Sequence, residues 1–211
     1  MYTPNNNLAE IGGPSLVHSI ADRQRGPTCG LEAVENVIQL FRPARNDLLE
    51  THLIPLAARH GTLVQDPGGF RLETRGYKAL LKRFGVAATW HAFDHHTLVA
   101  ALQQNRVAIA VVDAHTLAPG FYPSPRSWHA VVVTNYVSDK RHVSLLGYVG
   151  IDSNFPGEEL WWEADDIMLP QGFVFPSLLI TDSPAAWSST ADHYVRLADG
   201  TAAPVQRAAQ G

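Results

Sequence analysis

Trp128-His129-Ala130-Val131-Val132-Val133-Thr134-Asn135-Tyr136-Val137 runs into Ser138-Asp139-Lys140-Arg141 and then into His142-Val143-Ser144-Leu145-Leu146-Gly147-Tyr148-Val149-Gly150-Ile151. Two β-rich runs flank a short polar turn, the signature of an antiparallel hairpin. Alternation puts His129, Val131 and Val133 on one face and Ala130 and Val132 on the other. About that turn, position 129 is expected opposite positions 150 to 152, so His129 and Asp152 become neighbours by register.

Upstream of the hairpin, residues 113–126 carry Pro119, Gly120, Pro123 and Pro125 and read as a long loop, a length typical of substrate-covering lids. Val107-Ala108-Ile109-Ala110-Val111-Val112 reads as a buried strand. It follows a helix that Asp94 caps and that runs to about Gln104. Before that, Glu73 to Phe84 reads as a helix with Tyr77, Leu80, Leu81 and Phe84 on one face, stopped by Gly85, and Val86 to His91 as a strand. Asp66-Pro67-Gly68-Gly69 is a turn; it lacks the Lys and Ser/Thr of a phosphate loop. A short helix is expected over Asp47 to His60, with Pro55 able to split it. The pattern predicts an α/β or α+β layered domain.

Downstream, Glu163 to Met168 reads as a short helix and Phe173 to Thr181 as the final strand. Residues 1–14 are expected to form a flexible entry segment, 15–182 one domain, and the Ala/Ser/Pro-rich stretch 183–211 a loosely ordered tail. Ser15 to Ile20 fits a short strand or a helical turn equally.

Composition narrows the function. The 211 residues are 45% hydrophobic and 17% charged, with a net charge of -4. That supplies one core and no basic face for nucleic acid. No apolar run approaches a membrane span, and the start lacks the basic and apolar regions of a secretory signal. The expectation is a cytoplasmic protein, or one exported by a non-Sec route. Its oligomeric state is left open.

Cys29 is the only cysteine, which rules out an intramolecular disulfide and a thiolate zinc cluster. It lies in Gln24-Arg25-Gly26-Pro27-Thr28-Cys29-Gly30-Leu31, a Gly/Pro loop opening a helix in which Leu31, Val34, Ile38 and Phe41 recur and which Pro43 ends. Unpaired N–H groups and the dipole at a helix N-terminus favour a thiolate, the attacking form. A thiol nucleophile needs a base in hydrogen-bond reach and a third group to orient the base. His129 and Asp152 fit those roles, and the amide of Gln24 is placed to serve an oxyanion hole. Each also has a plain structural role to set against this: a buried small hydrophobe for Cys29, a strand-end histidine for His129, a turn-forming aspartate for Asp152.

The order Gln24, Cys29-Gly30, Trp128-His129, Ile151-Asp152-Ser153-Asn154 resembles the papain-like cysteine peptidases. Within them it is most similar to the bacterial double-glycine leader peptidases, the bacteriocin-processing domains of some ABC exporters, and their stand-alone relatives. Gly157, Trp161 and Trp162 after Asp152 belong to the same likeness, which spans about residues 15 to 170. It implies an α+β fold in which a helical part carrying Cys29 packs on an antiparallel sheet carrying His129 and Asp152, with a cleft between. It implies Cys29 as nucleophile, His129 as general base and then acid, Asp152 as orienter, Gln24 as oxyanion donor, and Gly30 and Trp128 beside a peptide or protein substrate. No cofactor or metal is implied. Gln24 stands five residues before Cys29, and Thr28 occupies the place of the leader peptidases' usual Asp. Deamidation and acyl transfer through the same thioester, and a catalytically idle binding module of this shape, stay open beside peptide hydrolysis.

Three other groups compete. His91, Asp94, His95 and His96 could gather a zinc ion, although Asp94 is already explained as a cap and adjacent histidines face apart on a helix. Asp113 and His115 offer an alternative acid/base pair, more simply read as loop residues near the cleft. Trp161 and Trp162 read as packing residues, with one of them able to wall the substrate groove instead.

Overall fold

The computed structural model describes residues 8–11, 28–42, 52–66, 69–117, 128–139, 144–155, 159–167, 177–185, 193–196 and 202–205. Strand β1 is Leu8–Ile11 and helix α1 Cys29–Phe41; α2 (Ile54–Arg59), β2 (Leu63–Asp66), β3 (Gly69–Leu72) and α3 (Thr74–Arg83) follow. Then come β4 (Ala88–His91), α4 (His95–Gln103), β5 (Ala108–Asp113), α5 (Ala114–Leu117), β6 (Trp128–Asp139) and β7 (Ser144–Ile151). The chain continues through β8 (Glu159–Glu163), a 3-10 turn at Ala164–Asp166, β9 (Leu178–Thr181), β10 (His193–Arg196) and β11 (Ala202–Val205).

Helices and a mainly antiparallel sheet make this an α+β protein. The sheet runs β11-β10-β8-β7-β6-β5-β9-β4; β8 and β10 pair parallel. Long β6 is its spine. One edge pairs with β7, and the other is shared by β5 against Trp128–Val133 and β1 against Tyr136–Asp139. A separate hairpin pairs β2 with β3.

Alternation along the central strands divides the core in two. Ala130, Val132 and Ile109 pack with Leu31, Val34 and Ile38 of α1 and with Leu80 and Leu81 of α3. Val131, Val133, Ala108, Ala110 and Val112 pack instead with Leu98 and Leu102 of α4 and with Trp162. Both faces of β5 are therefore covered, which explains its unbroken apolar run. Here the layering departs from the expected two-part arrangement: α4 covers the face opposite α1.

The expected helices at Cys29, Glu73 and Asp94 are present. Asp94 Oδ2 accepts from the Thr97 N–H at 2.8 Å, and Gly85 closes α3 at φ +79°, a left-handed conformation in which a glycine costs least. Of the expected helix from Asp47, the described part holds only α2, and residues 43–51 lie outside the described ones. Asp66 pairs with Gly69 as the turn requires, but the four-residue strands beside it are additional. The loop from 113 opens with the helical turn α5; residues 118–127 lie outside the described ones.

Three expectations are corrected. The final strand is not the one ending at Thr181: β10 and β11 lie in the stretch read as a tail, and β1 in the stretch read as an entry segment. Trp161 and Trp162 sit in strand β8, and of the helix expected from Glu163 the described residues hold only the 3-10 turn Ala164–Asp166, Met168 lying outside them. The hairpin register is also shifted: Val132 faces Ile151 and Val133 faces Gly150. β6 continues to Asp139 and β7 starts at Ser144, so the connection lies later than Ser138-Asp139-Lys140-Arg141, and each partner moves along with it.

Candidate active site

Cys29 is the first residue of α1 and is partly exposed. Thr28 precedes it, but its hydroxyl does not cap the helix backbone. It donates instead to Glu32 Oε1 at 2.6 Å, one turn inside the helix and buried.

His129 is the second residue of β6 and 3% exposed; Asp152 directly follows β7 and is 1% exposed. His129 Nε2 meets Asp152 Oδ1 at 2.8 Å. The observed register accounts for this. Extending the pairing of Val132 with Ile151 by one step puts Asp152 opposite Val131, on the same face as His129 and diagonal to it. The pair expected by direct opposition therefore forms across a diagonal.

Asp152 Oδ1 also accepts the Asn154 N–H at 2.9 Å, and the Phe155 N–H reaches the Asp152 carbonyl at 2.9 Å. The turn-forming and ring-orienting roles thus belong to one carboxylate. The turn fixes the carboxylate, and the carboxylate fixes the ring.

Cys29 lies near enough to the His129 ring to favour its charged form. With Nε2 on Asp152, Nδ1 is the nitrogen left for the sulfur. Three distant parts of the chain meet in series: α1 lies over the Ala130/Val132 face, while His129 belongs by alternation to the other, and they join where β6 begins. Burial is the largest single influence on His129 and opposes its charge. The Asp152 charge and hydrogen bond, with Cys29, outweigh it and push the imidazole up to about 10. Asp152 and Cys29 both favour the charged form of the ring.

The remaining expected residues divide. Gln24 lies outside the described residues. Trp128 is 49% exposed, the one large hydrophobic side chain so exposed among the described residues, and it adjoins His129. Gly30 is buried and its Cα is backed by other side chains: a Cβ there would come within 2.2 Å of Tyr77 Oη and 3.3 Å of Leu72 Cβ. Packing explains this glycine, and its Cα offers no wall to a ligand.

Tyr77 is the neighbour that sequence reasoning missed. Its place on the core face of its helix accounts for the ring, which packs edge-on 5.7 Å from that of Trp90. Yet its hydroxyl ends at the first turn of α1, where burial first and the charge of Cys29 second push its titration upward and keep it protonated. The available signal was Gly30 itself, since a glycine inside a helix often marks a close approach.

The rival groups are otherwise engaged. Asp94 caps α4; His95 Nδ1 lies 2.7 Å from Tyr148 Oη and its ring stacks on Tyr148. Asp113 ends β5 opposite Trp128, and its Oδ1 accepts the His115 N–H at 3.1 Å, so it starts α5 beside the site. Trp162 is buried and Trp161 packs on Val137 and Val149. The two glycines facing them have no room for a Cβ, which at Gly147 would meet the Trp162 carbonyl at 2.1 Å and at Gly150 the Val132 carbonyl at 2.2 Å.

No family model and no curated protein matches this chain. Among the described residues, no helix is long and apolar enough to cross a membrane.

Proposed function

We propose that the protein is a papain-like cysteine peptidase acting on a peptide or protein through a Cys29–His129–Asp152 triad. The observation that carries this is the buried His129–Asp152 pair at 2.8 Å with the partly exposed Cys29 beside the same ring. A base beside the sulfur suits a thiol nucleophile, and a carboxylate on its far nitrogen fixes the ring.

In the proposed reaction Cys29 Sγ attacks the amide carbonyl carbon and a C–S bond forms. The carbonyl oxygen takes up negative charge, received by the Gln24 side chain and the Cys29 backbone N–H. As the C–N bond breaks, His129 gives its proton to the departing amine, leaving a thioester. Water then attacks the thioester. His129 takes one of its protons, the C–S bond breaks, and the acid and the thiolate–imidazolium pair are released. Asp152 stays ionised and holds the ring.

Iodoacetamide at pH 6 tests the thiolate, because an ordinary cysteine titrates near about 8.5 and reacts slowly there. Rapid labelling of Cys29 that collapses in His129→Ala is expected. A folded Cys29→Ala variant should lose all turnover of a peptide library. Slow labelling indifferent to His129 would assign the chain to an idle binding module. Release of ammonia, or acyl transfer to an added amine, without peptide cleavage would replace hydrolysis by deamidation or transfer.

A further inference from the structure

Arg42, Arg59 and Arg83 converge on one cavity of about 440 Å³. Arg42 directly follows α1, so the cavity lies at the opposite end of that helix from Cys29, roughly 20 Å along its axis. Arg59 ends α2 and Arg83 ends α3. His52 adds an imidazole, and Leu56 and the buried Phe84 supply an apolar wall.

Among the described residues none of those lining the cavity is acidic. Among the described residues no carboxylate is paired with any of the three guanidiniums. In a chain of net charge -4, three like charges around one space are a local excess. They repel one another, and a cleft lined by one sign of charge concentrates the opposite ion.

The arrangement is also built. The Arg42 head rests on Gly85, where a Cβ would come within 2.6 Å of Nη2. Gly85 thus serves both the left-handed turn that ends α3 and the seat of this guanidinium.

We propose that the cavity is a binding site for a small phosphate-bearing anion, such as a diphosphate or a phosphomonoester. Guanidinium forks match phosphoryl oxygens two at a time. Three of them exceed what a single carboxylate can satisfy, while a diphosphate offers enough oxygens and charge for all. The cavity volume is that of a small-molecule site, and the apolar wall suits an organic group attached to the phosphate.

Isothermal titration of the full chain with sodium pyrophosphate, at about 0.15 M salt to screen exposed charge, tests this. Saturable binding to one site is expected. Arg59→Gln and Arg83→Gln should each weaken it by about tenfold or more. Arg75→Gln should not, since Arg75 pairs with Glu73 at the other end of α3. Melting curves establish that each variant is folded. A second arm uses phosphatidylcholine vesicles with and without phosphatidic acid. Co-sedimentation that needs phosphatidic acid and both arginines, without pyrophosphate binding, assigns the phosphate to a lipid headgroup. Absence of binding in both arms overturns the site, as does equal binding by the wild type and both arginine variants, or equal loss in Arg75→Gln.

Discussion

Asp152 shows how little of a residue's role its type decides. An aspartate before Ser-Asn is an ordinary turn former, and the Asn154 amide does bond its Oδ1. The same oxygen holds His129. Asp152→Asn separates the two duties, because an amide oxygen still accepts from Asn154 but carries no charge. Loss of an opposite charge moves a buried neighbour by about one pKa unit or more, and each unit is tenfold. The pH at which the His129 ring loses its proton, read by NMR titration of the imidazole, should therefore fall by about one unit or more in Asp152→Asn; an unmoved titration would leave Asp152 with the turn alone. Cys29, His129 and Asp152 were legible because each sits at an element boundary that local pattern marks: a Gly/Pro loop into a helix, a loop into a strand, a strand into a turn. Tyr77 was not, because a side chain mid-helix gives no local sign that its far end reaches another helix.

At the level of elements, the junction of α1 with α3 rests on Gly30 and Tyr77. Gly30→Ala places a methyl on the Tyr77 hydroxyl, an overpacking that costs about 1–3 kcal/mol in urea denaturation. Tyr77→Phe removes the nearest atom, but the ring carbon bearing it would still stand at 2.8 Å. The double variant should therefore recover part of the loss and not all of it; strict additivity would mean that the two residues do not share this contact. Elements with a strong period were readable: α1, α3, α4 and the runs that became β5, β6 and β7. The four-residue strands β1, β2, β3, β10 and β11 were not, since so short a segment owes its conformation to the strand it pairs with. The hairpin register failed for a related reason. The polar residues Ser138 and Asp139 look like a turn, yet they continue β6 because β1 and β7 pair with them.

For the molecule as a whole, His129 links protonation to folding. Its imidazole titrates near 6.5 in an unfolded chain and about 10 in the folded one. The folded state binds the proton more tightly, so this contribution to stability is complete below about pH 6.5 and is lost as pH rises towards 10. Urea denaturation between pH 6 and 10 should show stability falling across that window in the wild type and more weakly in His129→Gln. Equal slopes would mean that the ring is not held as a cation. The covering of both sheet faces was legible in part: Val107 to Val112 is apolar without alternation, which announces a strand buried twice. Which helix covers which face was not, because it depends on contacts between segments far apart in sequence. The solitary thiol has a consequence of its own. In this chain no second cysteine can resolve a sulfenic acid formed on Cys29, so peroxide leaves the sulfur to over-oxidise or to join a foreign thiol. If Cys29 is the proposed nucleophile, over-oxidation ends turnover for good, and only the mixed disulfide can be undone, by thiols supplied from outside.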